Sequence, residues 1–167
     1  MIVVVTGVSG AGKSTVGALL ARRLGWPFHD ADDFHTPEAR ALMARGLALD
    51  DELRAPWLDR LAAVIAEAAA AERPIVLACS ALRAAYRDRL RAAAGAGTPV
   101  RFVFLRIDPA TAERRSAART GHFAGPALVP GQFAALEEPG AHDAADTLVL
   151  DATQSPERLV EAIARAL

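Results

Sequence analysis

The stretch Gly7-Val8-Ser9-Gly10-Ala11-Gly12-Lys13-Ser14 fits the pattern G-x-x-x-x-G-K-[ST]. A polyphosphate needs several N–H donors pointing into one concavity. Glycines let the backbone adopt the required conformations and approach the anion closely. A helix that begins where the loop ends adds unpaired N–H groups and the positive end of its dipole, with Thr15 in the same turn. In that setting Lys13 reaches the β- and γ-phosphates of ATP, and the Ser14 hydroxyl ligates Mg²⁺. Lys13 is the only lysine of the chain. It stands where a compact charge on a flexible stem suits a phosphate.

A second group with chemical potential is Asp30-Ala31-Asp32-Asp33. Carboxylates gathered at a strand's end are costly to bury without a cation, and beside a phosphate-binding loop Mg²⁺ is the natural one. The spacing suggests a division of labour. Asp30 holds the metal's water shell, and Asp32 accepts a proton from a substrate hydroxyl. Downstream, Arg54 has the geometry to clamp a carboxylate in bidentate fashion or to pair with Asp51 on the surface. Arg83 follows the third strand closely. Arg114, Arg115 and Arg119 lead into the Gly/Pro-rich stretch Thr120-Gly121-His122-Phe123-Ala124-Gly125-Pro126. That composition suits a lid that neutralises charge and excludes water.

These residues need elements to position them. Residues 2–5 are a β-branched apolar run that reads as a buried strand. Val16, Leu19, Leu20 and Leu24 recur at helical spacing before Gly25. Residues 26–29 read as a second strand. Thr36 and Pro37 start a short helix that ends at Gly46, and Pro56 and Trp57 open a long one with Leu58, Leu61 and Ile65 in its stripe. Residues 74–79 form a third strand ending in Cys79-Ser80 rather than in a carboxylate, so the Asp30–Asp32 pair must serve the metal. Ser80 is expected to cap a helix over 81–94, on which Arg83, Tyr86, Arg87 and Arg91 share a solvated face. Residues 100–105 and 147–150 are the fourth and fifth strands. Asp108-Pro109 begins a helix, residues 129–136 form another, 151–154 lie where an adenine ring rests, and 157–167 close the chain as a helix. Five β–α units with buried parallel strands make a three-layer α/β fold, with ligands at the strands' C-terminal ends.

The 167 residues suit a single domain, and the net charge of −1 carries no bulk signal for nucleic acid or a membrane surface. The N-terminal apolar run is too short to span a bilayer. One cysteine, Cys79, excludes an internal disulfide and suits a reducing cytoplasm. It reads as a buried apolar residue rather than a nucleophile.

The motifs together resemble the gluconokinases, small P-loop kinases related to shikimate kinase and the nucleoside monophosphate kinases. The resemblance rests on residues 7–15, on Asp30-Ala31-Asp32 with His35, and on Asp51 followed by Arg54-Ala55-Pro56-Trp57-Leu58. It continues in Cys79-Ser80-Ala81-Leu82-Arg83, Tyr86-Arg87-Asp88, Gly121-His122-Phe123 and Gln132-Phe133. It implies transfer of the γ-phosphoryl group of ATP to the 6-hydroxyl of D-gluconate. It also implies strand order 2-3-1-4-5, a helical substrate insert over about 34–57, a lid over about 119–132 and often a homodimer. The implied site comprises Lys13, Asp32, Arg115 and Arg119 as catalytic groups; Gly7, Val8, Ser9, Gly10, Ala11, Gly12, Lys13, Ser14, Thr15 and Arg119 toward ATP; Ser14 and Asp30 toward Mg²⁺. Asp32, His35, Arg54, Arg83, His122 and Gln132 face the substrate.

The chain departs from the family pattern at Ala39 and Leu42, where relatives carry Asn and Lys, and at Ala48, Leu53 and Gly131. The departures cluster in the substrate insert. A kinase for another small sugar acid, or an ATP-binding regulator, therefore stays open beside the gluconate reading. A shikimate kinase is disfavoured because its glycine run after the third strand is replaced by Cys79-Ser80-Ala81-Leu82.

Overall fold

The computed structural model describes residues 1–118 and 125–167. The described strands β1 (Ile2–Thr6), β2 (Phe28–Asp30), β3 (Ile75–Ala78), β4 (Val100–Arg106) and β5 (Thr147–Asp151) form one parallel sheet in the order β2-β3-β1-β4-β5. The expected strand order and fold class are thus observed. Every residue of β1 is buried, as a central parallel strand covered on both faces requires. Its side chains alternate between two cores. Val3 and Val5 pack with Val16 and Leu20 of α1 (Lys13–Leu24) and with Leu159 and Ile163 of α7 (Pro156–Ala166). Ile2 and Val4 pack with Trp57, Leu61 and Ile65 of α3 (Asp51–Ala70) and with Leu90 of α4 (Ala84–Ala93). The remaining helices are α2 (Pro37–Ala44), α5 (Pro109–Ala118) and α6 (Val129–Ala135).

The register brings the chemistry to one edge. Asp30 lies beside Ala78, and Ala78 lies beside Val5. The acidic turn and the loop after β1 therefore emerge together. The Thr6 hydroxyl donates to Ser80 O at 2.5 Å and ties the loop after β3 to the same edge.

Three expectations are corrected. The long helix starts at Asp51, not at Pro56: Asp50 caps it by accepting from Leu53 N at 2.8 Å, and Pro56 lies inside. Pro56 has no N–H for Glu52 O, yet the turn before it is fastened by Asp51 to Arg83 and Tyr86. Tertiary contacts outweigh the proline. The helix after β3 starts at Ala84, and Ser80 does not cap it. The Ala84 N–H is met by the Glu137 carboxylate at 2.7 Å, while Ala81 takes a positive φ of 38° in the intervening loop. The arginine face of α4 is not simply solvated. Arg87 is 2% exposed and makes a bidentate pair with Asp143 at 2.9 and 3.0 Å; Arg91 binds Asp143 and Asp146 at 2.6–2.9 Å. Among the described residues no helix is long and apolar enough to cross a membrane.

Candidate active site

The loop between β1 and α1 owes its path to glycine. Gly10 has φ +82°, and a Cβ there would lie 2.4 Å from Ala112 O on α5, so loop and helix approach as only glycine allows. Gly12 at φ +94° precedes the first residue of α1. Lys13 Nζ donates to Val8 O at 3.0 Å. A cavity of about 450 Å³ opens over this loop. Ser9 to Val16, Asp32, Arg115, Ala152, Gln154 and Pro156 line it. The loop after β5, expected beneath an adenine ring, thus forms one wall. Arg115 is fastened to that wall through Ala152 O at 2.8 Å.

Asp30 and Asp32 diverge. Asp30 ends β2 and its Oδ1 accepts from Asp32 N at 3.0 Å, which closes a 3₁₀ turn over Ala31–Phe34. That turn presents Asp32 to the cavity beside Lys13 and Ser14. Arg40 of α2 donates to Asp32 O at 2.7 Å and lies 3.5 Å from Asp33. Nothing in the sequence singled out Arg40.

His35 lies 4.0 Å from Asp32 Oδ1 and stacks on Trp57, ring centroids 4.6 Å apart. Trp57 Nε1 donates to Ala31 O at 2.7 Å, so the indole supports the acidic turn from beneath. Burial lowers the His35 pKa to about 4; Asp32 opposes this, and Arg54, Arg40 and Arg60 add to it.

Arg54 sits on α3, where it donates to Tyr86 Oη at 3.2 Å and Leu49 O at 3.0 Å. It does not pair directly with Asp51. The Asp51 carboxylate instead accepts from Tyr86 Oη at 2.5 Å and Arg83 Nη1 at 2.8 Å. Both guanidinium groups lie over the Tyr86 ring, 5.4 and 5.7 Å from its centroid. The Tyr86 bond, with Arg83 and Arg54, holds the Asp51 carboxyl below the usual carboxylate range. Two members of this cluster, Asp51 and Tyr86, were in no site assignment. The spacing of Tyr86 from Arg83 was the available signal.

Gln132, expected with the substrate group, faces the phosphate-binding loop: its Oε1 accepts from Ser9 N at 2.6 Å. Arg119 and His122 lie outside the described residues. Cys79 is buried, and burial pushes its thiol up to about 12, far from a nucleophile. Among the other histidines, His142 is exposed beside Asp88 and His29 is half-buried beside Phe34.

Comparison with known proteins agrees with this architecture. The sequence model of the AAA-domain family matches residues 2–138. A probable gluconokinase of Mus musculus is 42% identical over 155 residues, covering 84% of each chain. Among solved structures, an unliganded sugar kinase from Janibacter sp. HTCC2649 superposes with a TM-score of 0.88 at 40% identity, covering 97% of this chain and 91% of that one. A gluconokinase from Sinorhizobium meliloti 1021 superposes with a TM-score of 0.79 at 40% identity, covering 95% and 86%. With its phosphate-binding loop on a 2-3-1-4-5 sheet and these relatives across most of its length, the chain belongs to the gluconokinase family of P-loop kinases.

Proposed function

We propose that the chain transfers the γ-phosphoryl group of ATP to the 6-hydroxyl of D-gluconate, giving 6-phosphogluconate. The observation that carries this reading is the cavity shared by Lys13, Ser14 and Asp32, with His35 and Trp57 beside Asp32 and, on the helix that carries Trp57, Arg54 in its cluster with Tyr86 and Arg83. Asp32 orients the primary hydroxyl and takes up its proton. Lys13, with Arg115 and Arg119, stabilises charge on the transferring group. Arg54 and Arg83 receive the sugar-acid carboxylate, and His35 and His122 contact its hydroxyls. Residues 34–57 are the substrate-side segment of this proposal and 119–132 its lid. The names of the relatives support D-gluconate as the acid.

The residues fit Mg²⁺, a hard cation that takes oxygen ligands. The Ser14 hydroxyl lines the cavity, and Asp30 stands at the end of β2 with one oxygen engaged by Asp32 N. Ser14 would hold the ion and Asp30 its water shell, and the ion would neutralise phosphate charge. A cytoplasmic setting belongs to the same proposal and is supported by the lone, buried thiol of Cys79.

A second reading, a kinase for another small sugar acid, is favoured by the substrate-side segment. Ala39 is buried and Leu42 half-buried where the family carries Asn and Lys. The test is ADP release with Mg-ATP against D-gluconate, other aldonic acids, shikimate and nucleoside monophosphates. Selective turnover of D-gluconate is expected. Preference for another aldonic acid would favour the second reading. ATP binding with no acceptor turned over would overturn both and leave a regulator.

A further inference from the structure

We infer that Gln132 is a positioning residue for phosphoryl transfer. Its carbonyl orients the Val8–Ser9 peptide of the phosphate-binding loop, against which Lys13 rests. The inference deepens the proposed function and rests on it.

The Val8–Ser9 peptide is held at both ends. Its N–H donates to Gln132 Oε1 at 2.6 Å, across 123 positions of sequence. Its carbonyl accepts from Lys13 Nζ at 3.0 Å and from Ala11 N at 3.2 Å. A backbone N–H demands an acceptor, so the chemistry itself fixes which end of the Gln132 amide faces the loop. A peptide is a rigid plane. Turning it over would break the Gln132 bond, withdraw the carbonyl from Lys13 and aim that oxygen elsewhere in the loop. Ser9 lines the cavity together with Lys13 and Asp32, so the orientation of this one peptide bears on the reacting end of the site.

Gln132 is well placed to impose it. It projects from α6, a short helix anchored by Val129 at 0% exposure and by Phe133 packed against the core. On the loop's other side, Gly10 lies against Ala112 of α5. The loop is therefore gripped by α5 and α6 at consecutive residues, Ser9 and Gly10. The donors at the start of α1 need no help from Gln132. Losing Gln132 should leave most nucleotide anchoring intact and damage the alignment of Lys13 with the transferring group. Preorganised donors act in the transition state, where small displacements are costly.

The experiment is Gln132→Met, which keeps side-chain length and removes the acceptor. Thermal unfolding checks that the half-buried site tolerates it. The Ser9 amide proton is expected to move upfield in ¹⁵N–¹H spectra as its hydrogen bond is lost. Turnover at saturating substrates is expected to fall about tenfold or more, with KM for ATP and for D-gluconate within about threefold of the unaltered chain. Gln132→Asn, too short to reach, is expected to behave alike. A rise in KM for D-gluconate with kcat retained would overturn the inference and return Gln132 to the substrate. So would an unmoved Ser9 resonance, or full turnover once it has moved. If the unaltered chain does not phosphorylate D-gluconate, that failure belongs to the proposed function. The Ser9 shift and the chain's hydrolysis of ATP by water then decide the role of Gln132.

Discussion

The imidazole of His35 lies flat against the indole of Trp57, their planes 6° apart and their centroids 4.6 Å apart. The His35 side chain is only 6% exposed. Burial first, and then Arg54, Arg40 and Arg60, lower its pKa from 6.5 to about 4, while Asp32 pulls the other way. Between those values the unfolded chain binds the proton and the folded chain does not, so stability falls as pH drops through this window and is flat above it. Urea unfolding is expected to show a loss of about 1–2 kcal/mol between pH of about 7.5 and 5. His35→Phe, which keeps a ring on Trp57, should flatten that slope. A slope that survives the substitution would assign it to other groups.

Asp32 faces the cavity, while Asp30, two residues before it, closes the 3₁₀ turn with one carboxylate oxygen. Asp32→Asn preserves shape and removes the proposed base. Turnover is expected to fall by about 10² to 10⁴, with ATP affinity within about threefold. Calorimetric titration of ATP beside steady-state kinetics checks both halves. Near-normal turnover would remove Asp32 from the role of base.

Arg54 and Arg83 both lie over the Tyr86 ring. If the pair receives the carboxylate as proposed, Arg54→Ala raises KM for the sugar acid by about tenfold or more and leaves KM for ATP unchanged. Tyr86→Phe removes the hydroxyl that joins Arg54 to Asp51 and should raise the same KM by a smaller factor, about two to ten. A neutral polyol offered as a weak acceptor should be little affected by either change. Equal losses for acid and polyol would argue against a carboxylate site.

The Arg87–Asp143 pair predicts a contrast in stability. Arg87 is 2% exposed, and its guanidinium also donates to Glu137 O at 3.0 Å. Asp143→Ala leaves that charge buried and is expected to cost about 3–5 kcal/mol. Arg83→Ala breaks a largely exposed pair with Asp51 and should cost less than about 1 kcal/mol. Denaturant titration of the two variants side by side tests the ordering.

The legible parts of this protein were local. The phosphate-binding loop announces itself because glycine, lysine and serine needs are met within consecutive residues. Buried parallel strands are legible because both faces are covered and the apolar runs are continuous, as in β1. The cap at Thr36 and the glycine stop at Gly25 act within a single turn.

What the tertiary structure decided was the choice among partners that are equally available in sequence. Asp51 had Arg54 three residues away and took Tyr86 of α4 and Arg83 just before that helix. Arg87 and Arg91 looked like a solvated stripe and were claimed by Asp143 and Asp146 from the segment before β5. Gln132 is the last residue of the expected lid, 119–132, yet bonds to Ser9. The physical reason is clearest at Arg87 and Arg91, whose shared partner Asp143 is buried. A charged or polar group spends its hydrogen bonds where burial makes them strongest, and burial is set by how the sheet order brings distant helices together. Sequence determined the elements and the chemical vocabulary of the site, whereas packing decided which side chains face one another.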